Sequence, residues 1–384
     1  MDIISLILTK LSFIWEVGIP FLVALTVLVF VHELGHYLVA KWCKVKVEVF
    51  SIGFGPELYG WNDKAGTRWK ISAIPLGGYV KMFGETASGA EDEDEKDLTP
   101  AEKEVSFHCK RVGQRAAIVA AGPIANFVLA ILILTVMFST IGQPYTPADI
   151  GKVQVGGVAE AAGLKAGDKI SSIDGQAIER FEDVQRVVRM APDKKLSMVI
   201  NRAGKEITVL IVPKRRQLVD RFGNKSEIGL IGISRAGTKS VRHGVFQSAW
   251  RAVGETWRIS TFTMDAVGQI VMGQRSAEDL GGPIRIAQMS GQVAELGLTS
   301  VFWFLAVLSI NLGLINLFPI PMLDGGHLIF YGIEAVRGSP VSDRIMEYGF
   351  RFGLAMILAL FVFVTYQDLS RFKVLTNFVE GLFS

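Results

Sequence analysis

The pentapeptide HELGH places His32 and His36 four residues apart, with Glu33 directly after the first histidine. Residues i and i+4 lie on the same face of an α-helix, so both imidazoles can be directed at one point. Two histidines with this spacing commonly hold zinc, and Glu33 is placed to reach a water on the metal rather than the metal itself. The pattern predicts a hydrolytic zinc site whose third protein ligand lies elsewhere in the chain.

The motif lies within the run LVFVHELGHYLVAKW, which is apolar enough to enter a membrane. Ionisable groups are costly in hydrocarbon and persist there mainly where they have a function, which disfavours a chance match. Half of the chain is hydrophobic and only 20% is charged. Stretches that approach the roughly 20 apolar residues of a helical span are 19–40, 116–141, 301–320 and 352–366 with its flanks. We therefore expect a multi-span α-helical membrane protein with four transmembrane helices.

The distribution of charge predicts the orientation of these spans. The net charge of +3 is small and spread along the chain, so nucleic-acid binding is not indicated. Basic residues flank the loop between the first two spans: Lys41, Lys44, Lys46, Lys110, Arg111 and Arg115. The positive-inside rule places this loop in the cytoplasm and residues 142–298 on the outer side. Cys43 and Cys109 then lie in a reducing compartment, and we expect free thiols.

A third zinc ligand must come from a carboxylate or another histidine outside HELGH. Glu48 and Glu57 are near in sequence but fall in a strand-like loop. Asp324 closes the apolar run NLGLINLFPIPMLDGG, in which Pro319 and Pro321 must interrupt the helix. A carboxylate on such a break can reach across to another helix, although a helix-capping aspartate at an ordinary membrane boundary would give the same pattern.

The segments outside the spans have their own patterns. Residues 45–61 and 67–83 alternate apolar and polar side chains and predict β-hairpins, while the acidic run 91–104 is expected to be a loop. Residues 147–213 predict a compact α+β module, with a helix that begins near Phe181 and a hairpin around residues 202–205. A linker and an amphipathic helix lying on the membrane surface are expected to follow.

These motifs resemble those of known proteins. The run AAGLKAGDKISSIDGQAI within residues 147–212 resembles a bacterial PDZ domain. HELGH in the first span and NLFPIPMLDGG in the third resemble the site-2 protease family of intramembrane zinc metalloproteases. FSIGFGP, PLGGYVKM, AGPIANF and GGPIRIAQ extend this similarity along the chain. The order of parts is similar to the bacterial branch that cuts anti-sigma factors, the regulator of sigma-E protease type. That branch often carries two PDZ modules, whereas this chain has room for one.

The resemblance implies a role for each matching residue. His32, His36 and Asp324 would hold Zn²⁺ and leave the fourth position to water, and Glu33 would be the general base. Asn316 would contact the substrate backbone, although a helix–helix hydrogen bond would equally explain an asparagine there. Further substrate-binding candidates, on a strand edge that could pair with an unwound substrate segment, are Gly77 and Gly78.

The predicted fold combines four transmembrane helices with a membrane-associated β-hairpin sheet and an inserted α+β PDZ-like domain. Its segments are 1–44, the first transmembrane helix with HExxH; 45–115, the cytoplasmic or membrane-associated hairpin loop with an acidic linker; 116–141, the second transmembrane helix; 147–213, the PDZ-like domain; 214–298, a linker and amphipathic membrane-surface helices; 299–330, the third transmembrane helix with the LDG motif; 350–372, the fourth transmembrane helix; and 373–384, a C-terminal tail.

The predicted function is intramembrane zinc endopeptidase activity on single-span membrane proteins, such as an anti-sigma factor in an envelope stress response after a first cut by another protease. The predicted location is the bacterial inner membrane, with the active site near the cytoplasmic side and the PDZ-like domain outside. That domain would either bind a newly exposed C-terminus or exclude bulky substrates. Two alternatives are a scaffold with a structural zinc and an anchored protease with a soluble active site. A structural zinc would normally have four Cys or His ligands, which disfavours the scaffold.

Overall fold

The computed structural model describes residues 14–85, 98–219, 225–237, 239–273 and 282–371. Contacts divide the chain into two compact units. The first unit combines Met1–Val136 with Ala249–Ser384, and the second is Met137–Ser248. The prediction for the C-terminal tail falls on residues outside the described part of the chain.

Ten helices and twelve strands occur among the described residues. The helices, after a π-helical turn at Ile14–Gly18, are α1 (Ile19–Trp42), α2 (Pro100–Val105), α3 (Val112–Thr140), α4 (Val158–Ala161), α5 (Phe181–Arg189), α6 (Val245–Val271), α7 (Pro283–Glu295), α8 (Leu298–Asn316), α9 (Asp324–Arg337) and α10 (Asp343–Arg371). The strands are β1 (Val47–Asn62), β2 (Arg68–Met82), β3 (Gln143–Tyr145), β4 (Ile150–Val153), β5 (Lys169–Ile173), β6 (Gln176–Ala177), β7 (Leu196–Arg202), β8 (Lys205–Ile211), β9 (Lys214–Val219), β10 (Lys225–Leu230), β11 (Ile233–Arg235) and β12 (Lys239–Val241).

Helices long and apolar enough to cross a membrane occur in all four predicted regions of the described chain. They are Trp15–Trp42, Val112–Thr140, Leu298–Asn316 and Arg344–Asp368. Such a helix satisfies its own backbone hydrogen bonds, which a segment in hydrocarbon requires. The prediction of long apolar helices in these regions is therefore confirmed.

The third predicted span is broken where the sequence places its prolines. Helix α8 ends at Asn316, and α9 begins at Asp324. Between them Met322 adopts a left-handed backbone with φ of 82°. Gly326 follows in α9, where an added Cβ would lie 2.4 Å from the carbonyl oxygen of Ile320. Only glycine allows this close return of the chain, so the tight turn fixes where α9 starts and where the carboxylate of Asp324 projects.

Strands β1 and β2 form an antiparallel hairpin that is folded back on itself. Residues 47–52 of β1 pair on one side with residues 78–82 of β2 and on the other with residues 68–71. Residues 57–62 then pair with 68–72. The spatial order is 78–82, 47–52, 68–72 and 57–62, so residues 78–82 form one edge of the sheet. Hairpins were predicted for this region, and the sheet has this order because both strands are long and bent.

Asp63 ties this sheet to α1. Its carboxylate accepts hydrogen bonds from the Tyr37 hydroxyl of α1 at 2.9 Å and from the Trp69 indole at 3.3 Å. The backbone amides of Ala65 and Thr67 also donate to it. Burial tends to raise the pKa of Asp63, but these donors outweigh it and lower the pKa to about 2. The charged carboxylate therefore fixes the turn after β1 against the helix that carries HELGH.

The second unit is an α+β module built on the antiparallel sheet β6-β5-β7-β8. Its buried core includes Ile170, Ile173, Met198, Ile200 and Ile211, each at most 1% exposed. Met198 and Ile200 alternate along β7, as one buried face of a sheet requires. Ile170 and Ile173 are three residues apart in β5, where the register of pairing with β7 shifts between Ile170 and Ser172. The predicted helix at Phe181 and the hairpin around residues 202–205 both occur.

The module extends beyond the predicted boundary at residue 213. Residues 214–241 were interpreted as a linker with a short strand, but they contribute four strands, β9 to β12. β11 pairs with β4 and β12 pairs with β3, both antiparallel. The prediction was wrong because these partners are far apart in sequence, and short strands with exposed faces lack a clear local pattern.

Two further boundaries differ from the prediction. The acidic run 91–104 was expected to be a loop, but its last part enters α2, whose N-terminus is capped reciprocally by Thr99 and Glu102. Residues 86–97 lie outside the described chain. The fourth span was predicted from residue 350, whereas α10 begins at Asp343, because its first turns are more polar than its apolar centre.

Candidate metal centre

Helix α1 presents both histidines of HELGH to helix α3. The Nε2 atoms of His32 and His36 lie 3.2 Å apart, and each residue is 8% exposed. The two helices can approach because both carry glycine at the crossing. A Cβ on Gly35 would lie 2.3 Å from the carbonyl oxygen of Ala121, and a Cβ on Gly122 would lie 2.2 Å from Nε2 of His36. Any larger residue would displace the imidazoles or separate the helices.

Asp324 completes a three-residue cluster at the start of α9. Its Oδ2 lies 3.2 Å from Nε2 of His32, and its Oδ1 lies 3.7 Å from Nε2 of His36. One ligand atom from each residue falls within 4.8 Å of the other two. Glu48 and Glu57, the nearer candidates in sequence, instead form ion pairs with basic residues on β2. The structure thus selects Asp324 from the carboxylates that the sequence left open.

The donor set fits a catalytic zinc ion. Zinc in hydrolases is commonly held by three nitrogen or oxygen ligands, with a fourth position free for water. The Oδ2 atom of Asp324 is buried and makes no hydrogen bond among the described residues. A buried carboxylate oxygen without a donor is costly unless a cation neutralises it. His32, His36 and Asp324 would together hold that cation.

Further contacts fix the two imidazoles from the side away from the cluster. Nδ1 of His36 lies 2.9 Å from the backbone carbonyl oxygen of Ile118 in α3. Nδ1 of His32 lies 3.1 Å from the side-chain amide of Asn126, about two turns further along α3. Because each Nδ1 is engaged, each Nε2 faces the cluster.

Glu33 lies beside the cluster and contacts the sheet edge. The backbone amide of Val80 lies near its carboxylate. A Cβ on Gly78 would lie 3.6 Å from Cγ of Glu33, so this glycine passes directly over the side chain. Gly77, in contrast, lies against the ring of Phe54, and a Cβ on Gly77 would lie 2.5 Å from Cε2 of that ring. Of the two predicted glycines, the structure therefore brings only Gly78 to Glu33.

A cavity of about 300 Å³ opens beside Glu33 and both histidines. The Asn316 amide lies on its wall, 3.5 Å from Nε2 of His32. Tyr79, Val80 and His327 also contribute to the lining. The volume is sufficient for several water molecules and a short length of backbone, so the cluster is accessible to reactants.

The sequence prediction missed functional neighbours that come from α3. Asn126 belongs to the motif AGPIANF, which was used for the family resemblance without assigning the asparagine a role. Arg115, used only for orientation, pairs with Glu334 of α9 on the cavity wall. The signal available in the sequence was an asparagine within an apolar span, and the structure shows that this residue is 0% exposed.

Together, the membrane helices and a two-histidine, one-carboxylate cluster beside a glutamate define a membrane-embedded metallohydrolase. The sequence model of the family described as Peptidase family M50 matches residues 20–360, which is nearly the whole chain. The chain belongs to this family, the site-2 proteases, and is a zinc metalloprotease.

Similar proteins occur in other bacteria. A protein of Agrobacterium fabrum, named as a candidate zinc metalloprotease, is 45% identical over 370 residues, which cover 95% of this chain and 98% of that protein. A similarly named protein of Rhizobium meliloti is 46% identical over 373 residues, with 95% and 99% covered. Metalloprotease MmpA of Caulobacter vibrioides is 36% identical over 392 residues, with 95% and 98% covered.

A solved structure also matches part of the chain. The PDZ domain of the SdrC-like protein from Listeria monocytogenes is 21% identical and covers 24% of this chain and 88% of its own, with a TM-score of 0.19.

Proposed function

We propose that this chain is an intramembrane zinc endopeptidase that cleaves single-span membrane proteins within or near the bilayer. The observation that carries the proposal is the distance of 3.2 Å between Asp324 and His32. Asp324 lies at a helix break next to one candidate span, and His32 lies inside another. A soluble active site on a membrane anchor would not need ligands from two such helices.

The chemistry proposed for the site is peptide-bond hydrolysis. When bound, zinc supplies a Lewis acid and lowers the pKa of a coordinated water. Glu33 accepts the proton of the attacking water and passes it to the leaving nitrogen as the carbon–nitrogen bond breaks. One new chain end is a carboxylate and the other an amine, so the water is fully consumed. The backbone amide of Val80, near the Glu33 carboxylate, would orient it for this transfer.

The sheet edge at residues 78–82 is proposed to hold the substrate. Within the described chain, these residues pair on only one side, with residues 47–52. A peptide bond inside a helix is shielded by its own hydrogen bonds, so cleavage requires local unwinding. An unwound segment can recover its lost hydrogen bonds by adding to an open edge as a further strand. Asn316, beside His32, is placed to bind the backbone of that segment.

The proposed location is the bacterial inner membrane. The active site would lie near the cytoplasmic side and the PDZ-like module outside, as the basic residues around the first loop favour. Helix α6 supports a membrane-surface position for part of the chain. Its Trp250 and Trp257 are 78% and 72% exposed, whereas Ser248 and Thr256 are buried. Exposed tryptophans of this kind are typical of residues at the lipid headgroup level.

The proposed substrates are anti-sigma-factor-like single-span proteins that an earlier protease has shortened in an envelope stress response. The PDZ-like module would act on the outer part of such a substrate, either by binding its new C-terminus or by excluding bulky forms. A segment rich in leucine resists unwinding, so leucine runs in the substrate span are expected to slow cleavage.

The test is co-expression of the chain with candidate single-span proteins, comparing the intact chain with Glu33→Gln. A truncated product is expected only with the intact chain, while Glu33→Gln retains its zinc. Glu57→Gln is the matched control, since Glu57 pairs with Arg68 away from the cluster. Cleavage that persists in Glu33→Gln would refute the proposed mechanism. If zinc binds but no tested membrane protein is cut and a soluble peptide is, the intramembrane assignment is wrong.

A further inference from the structure

Asn126 is a buried polar residue of α3 whose side chain contacts the imidazole of His32. It is 0% exposed, and its Nδ2 lies 3.1 Å from Nδ1 of His32. Its Oδ1 is buried and has no hydrogen-bond partner among the described residues. An unpaired amide oxygen in an apolar span is costly. The two ends of an amide are nearly identical in shape, so their assignment has to follow from the hydrogen-bond network.

The network around a bound cation determines that assignment. Nε2 of both histidines faces the carboxylate of Asp324. A neutral imidazole that offers the Nε2 lone pair to a metal carries its proton on Nδ1. His36 then donates from Nδ1 to the carbonyl oxygen of Ile118. His32 needs an acceptor of the same kind, and the amide of Asn126 is in reach at 3.1 Å.

We propose that Asn126 is the positioning residue for His32: its amide turns so that the otherwise unpaired Oδ1 accepts the Nδ1 proton and holds the Nε2 lone pair toward the metal. The inference rests on the zinc site of the proposed function. Under this inference the two histidines have different kinds of partner on α3. His36 donates to a backbone carbonyl, whereas His32 donates to a side chain, and only the side chain can be changed by substitution.

The backbone of Asn126 has a separate structural role. The Ser309 hydroxyl of α8 donates a hydrogen bond to the backbone carbonyl oxygen of Asn126 at 2.7 Å. This contact fastens α3 to α8 and does not involve the side-chain amide. Ser309→Ala therefore perturbs the same helix contact while leaving the partner of His32 in place, which makes it the matched control.

The experiment measures zinc affinity of the folded, full-length chain in detergent by competition with a chromogenic chelator. Asn126→Leu fills a similar volume without an acceptor, and Asn126→Asp keeps an acceptor but has no donor. Loss of an outer hydrogen-bond partner typically weakens metal binding by about 10–100-fold. We expect a loss of this size in Asn126→Leu, and affinities close to that of the unchanged chain in Asn126→Asp and Ser309→Ala.

A second measurement separates positioning from folding. The melting temperature of each variant is compared with and without a chelator, because zinc stabilises the folded chain more, the more tightly it binds. We expect Asn126→Leu to lose part of the zinc-dependent increase in melting temperature, and Asn126→Asp to retain it. If Asn126→Leu does not fold, the zinc affinity of Asn126→Asp alone decides whether the inference stands, and a weakened affinity would overturn it.

The outcomes distinguish this inference from the proposed function. Equal weakening in Asn126→Leu and Asn126→Asp would show that the amide acts as a donor, and it would overturn the inference. Unchanged zinc affinity in Asn126→Leu would overturn it as well. If the unchanged chain itself binds no zinc, or if His36→Ala binds as tightly, the proposed zinc site fails instead.

Discussion

The carboxylate of Asp324 lies 3.2 Å from Nε2 of His32, although the two residues belong to helices at opposite ends of the chain. The contact joins α1 to the first turn of α9, directly after the interruption that ends α8. It adds a carboxylate to the two histidines, which alone would supply only two of the ligands that a metal needs. The site is therefore complete only when α1 and the start of α9 pack together.

Asp324→Ala is expected to abolish tight zinc binding. Removing a direct ligand exceeds the loss of an outer partner, so the zinc dissociation constant is expected to rise by more than about 100-fold. Chelator competition on the purified chain measures this constant. Glu347→Gln is the control, because Glu347 belongs to an exposed ion pair with Arg351. Tight binding in Asp324→Ala would show that another residue supplies the third ligand.

Gly122→Ala tests the helix crossing that positions the imidazoles. The new methyl group would lie 2.2 Å from Nε2 of His36 and 2.8 Å from Cε1 of His32, so at least one ring must move. A displacement of about 1 Å at a reaction centre can cost about 100-fold in rate. Cleavage and zinc affinity are both expected to fall. Gly113→Ala is the control in the same helix, since nothing lies within 4 Å of an added Cβ there.

Val80→Pro tests the sheet edge. Val80 lies opposite Phe50 of β1 on the edge of the sheet, with its backbone amide near Glu33, and proline is best tolerated on such an edge. It removes the donor that orients Glu33 and interrupts the edge that would receive a substrate strand. We expect zinc binding to persist while the cleavage rate falls by about 100-fold, the scale of general-base catalysis.

The contrast for this variant is Val80→Ala, which shortens the side chain but keeps the amide. It is expected to lose far less activity than Val80→Pro in the same co-expression assay. Similar losses in the two variants would indicate that the side chain, and not the backbone amide, matters at this position.

Asp168→Asn is expected to destabilise the α+β module of the second unit. Arg202 donates two hydrogen bonds to the Asp168 carboxylate, at 2.7 and 2.8 Å, and the Lys165 amide donates a third at 2.7 Å. Hydrogen bonds to a charged group contribute about 1.5–3 kcal/mol, so a loss of about 2 kcal/mol in the free energy of unfolding is expected at neutral pH. Hydrogen exchange of the β7 amides measures it. Asp193→Asn, in the exposed pair with Arg215, is the control.

The ion pair between Asp168 and Arg202 also predicts that the free energy of unfolding of this module depends on pH. Burial tends to raise the pKa of Asp168, but the Arg202 guanidinium and the Lys165 amide outweigh it and hold the pKa below its usual value. The stabilisation is therefore fully present above the unfolded pKa of about 3.9 and is lost as the pH falls through the lower folded value. The difference between the chain and Asp168→Asn is expected to shrink in that range. A difference that stays constant would argue against a charged carboxylate in the module.

Local patterns in the sequence were sufficient for the elements that carry the metal ligands. Helical spacing placed His32 and His36 on one face, and the two prolines before Asp324 required the break that gives this residue its reach. Asn126 could not be assigned in this way, because its partner is decided by where α1 and α3 cross. Strands β11 and β12 were missed for the same reason, since they pair with β4 and β3, which are far away in the chain.

Gly77 illustrates a further limit of motif-based prediction. It was grouped with Gly78 because the two are adjacent in PLGGYVKM, but adjacent residues on a strand face opposite sides. Gly78 therefore passes over Glu33, whereas Gly77 makes room for Phe54. The backbone of Gly77 is left-handed, with φ of 93°, and this conformation favours glycine at that position.

The glycines at the crossing of α1 and α3 also restrict the route by which a reactant can arrive. At the level of His36 the two backbones touch, so no third polypeptide can pass through that seam. Within the described chain, the cavity that reaches His32 and His36 is bordered instead by Tyr79 and Val80 of β2 and by Asn316 at the end of α8. We therefore expect a reactant to reach the two histidines from that side.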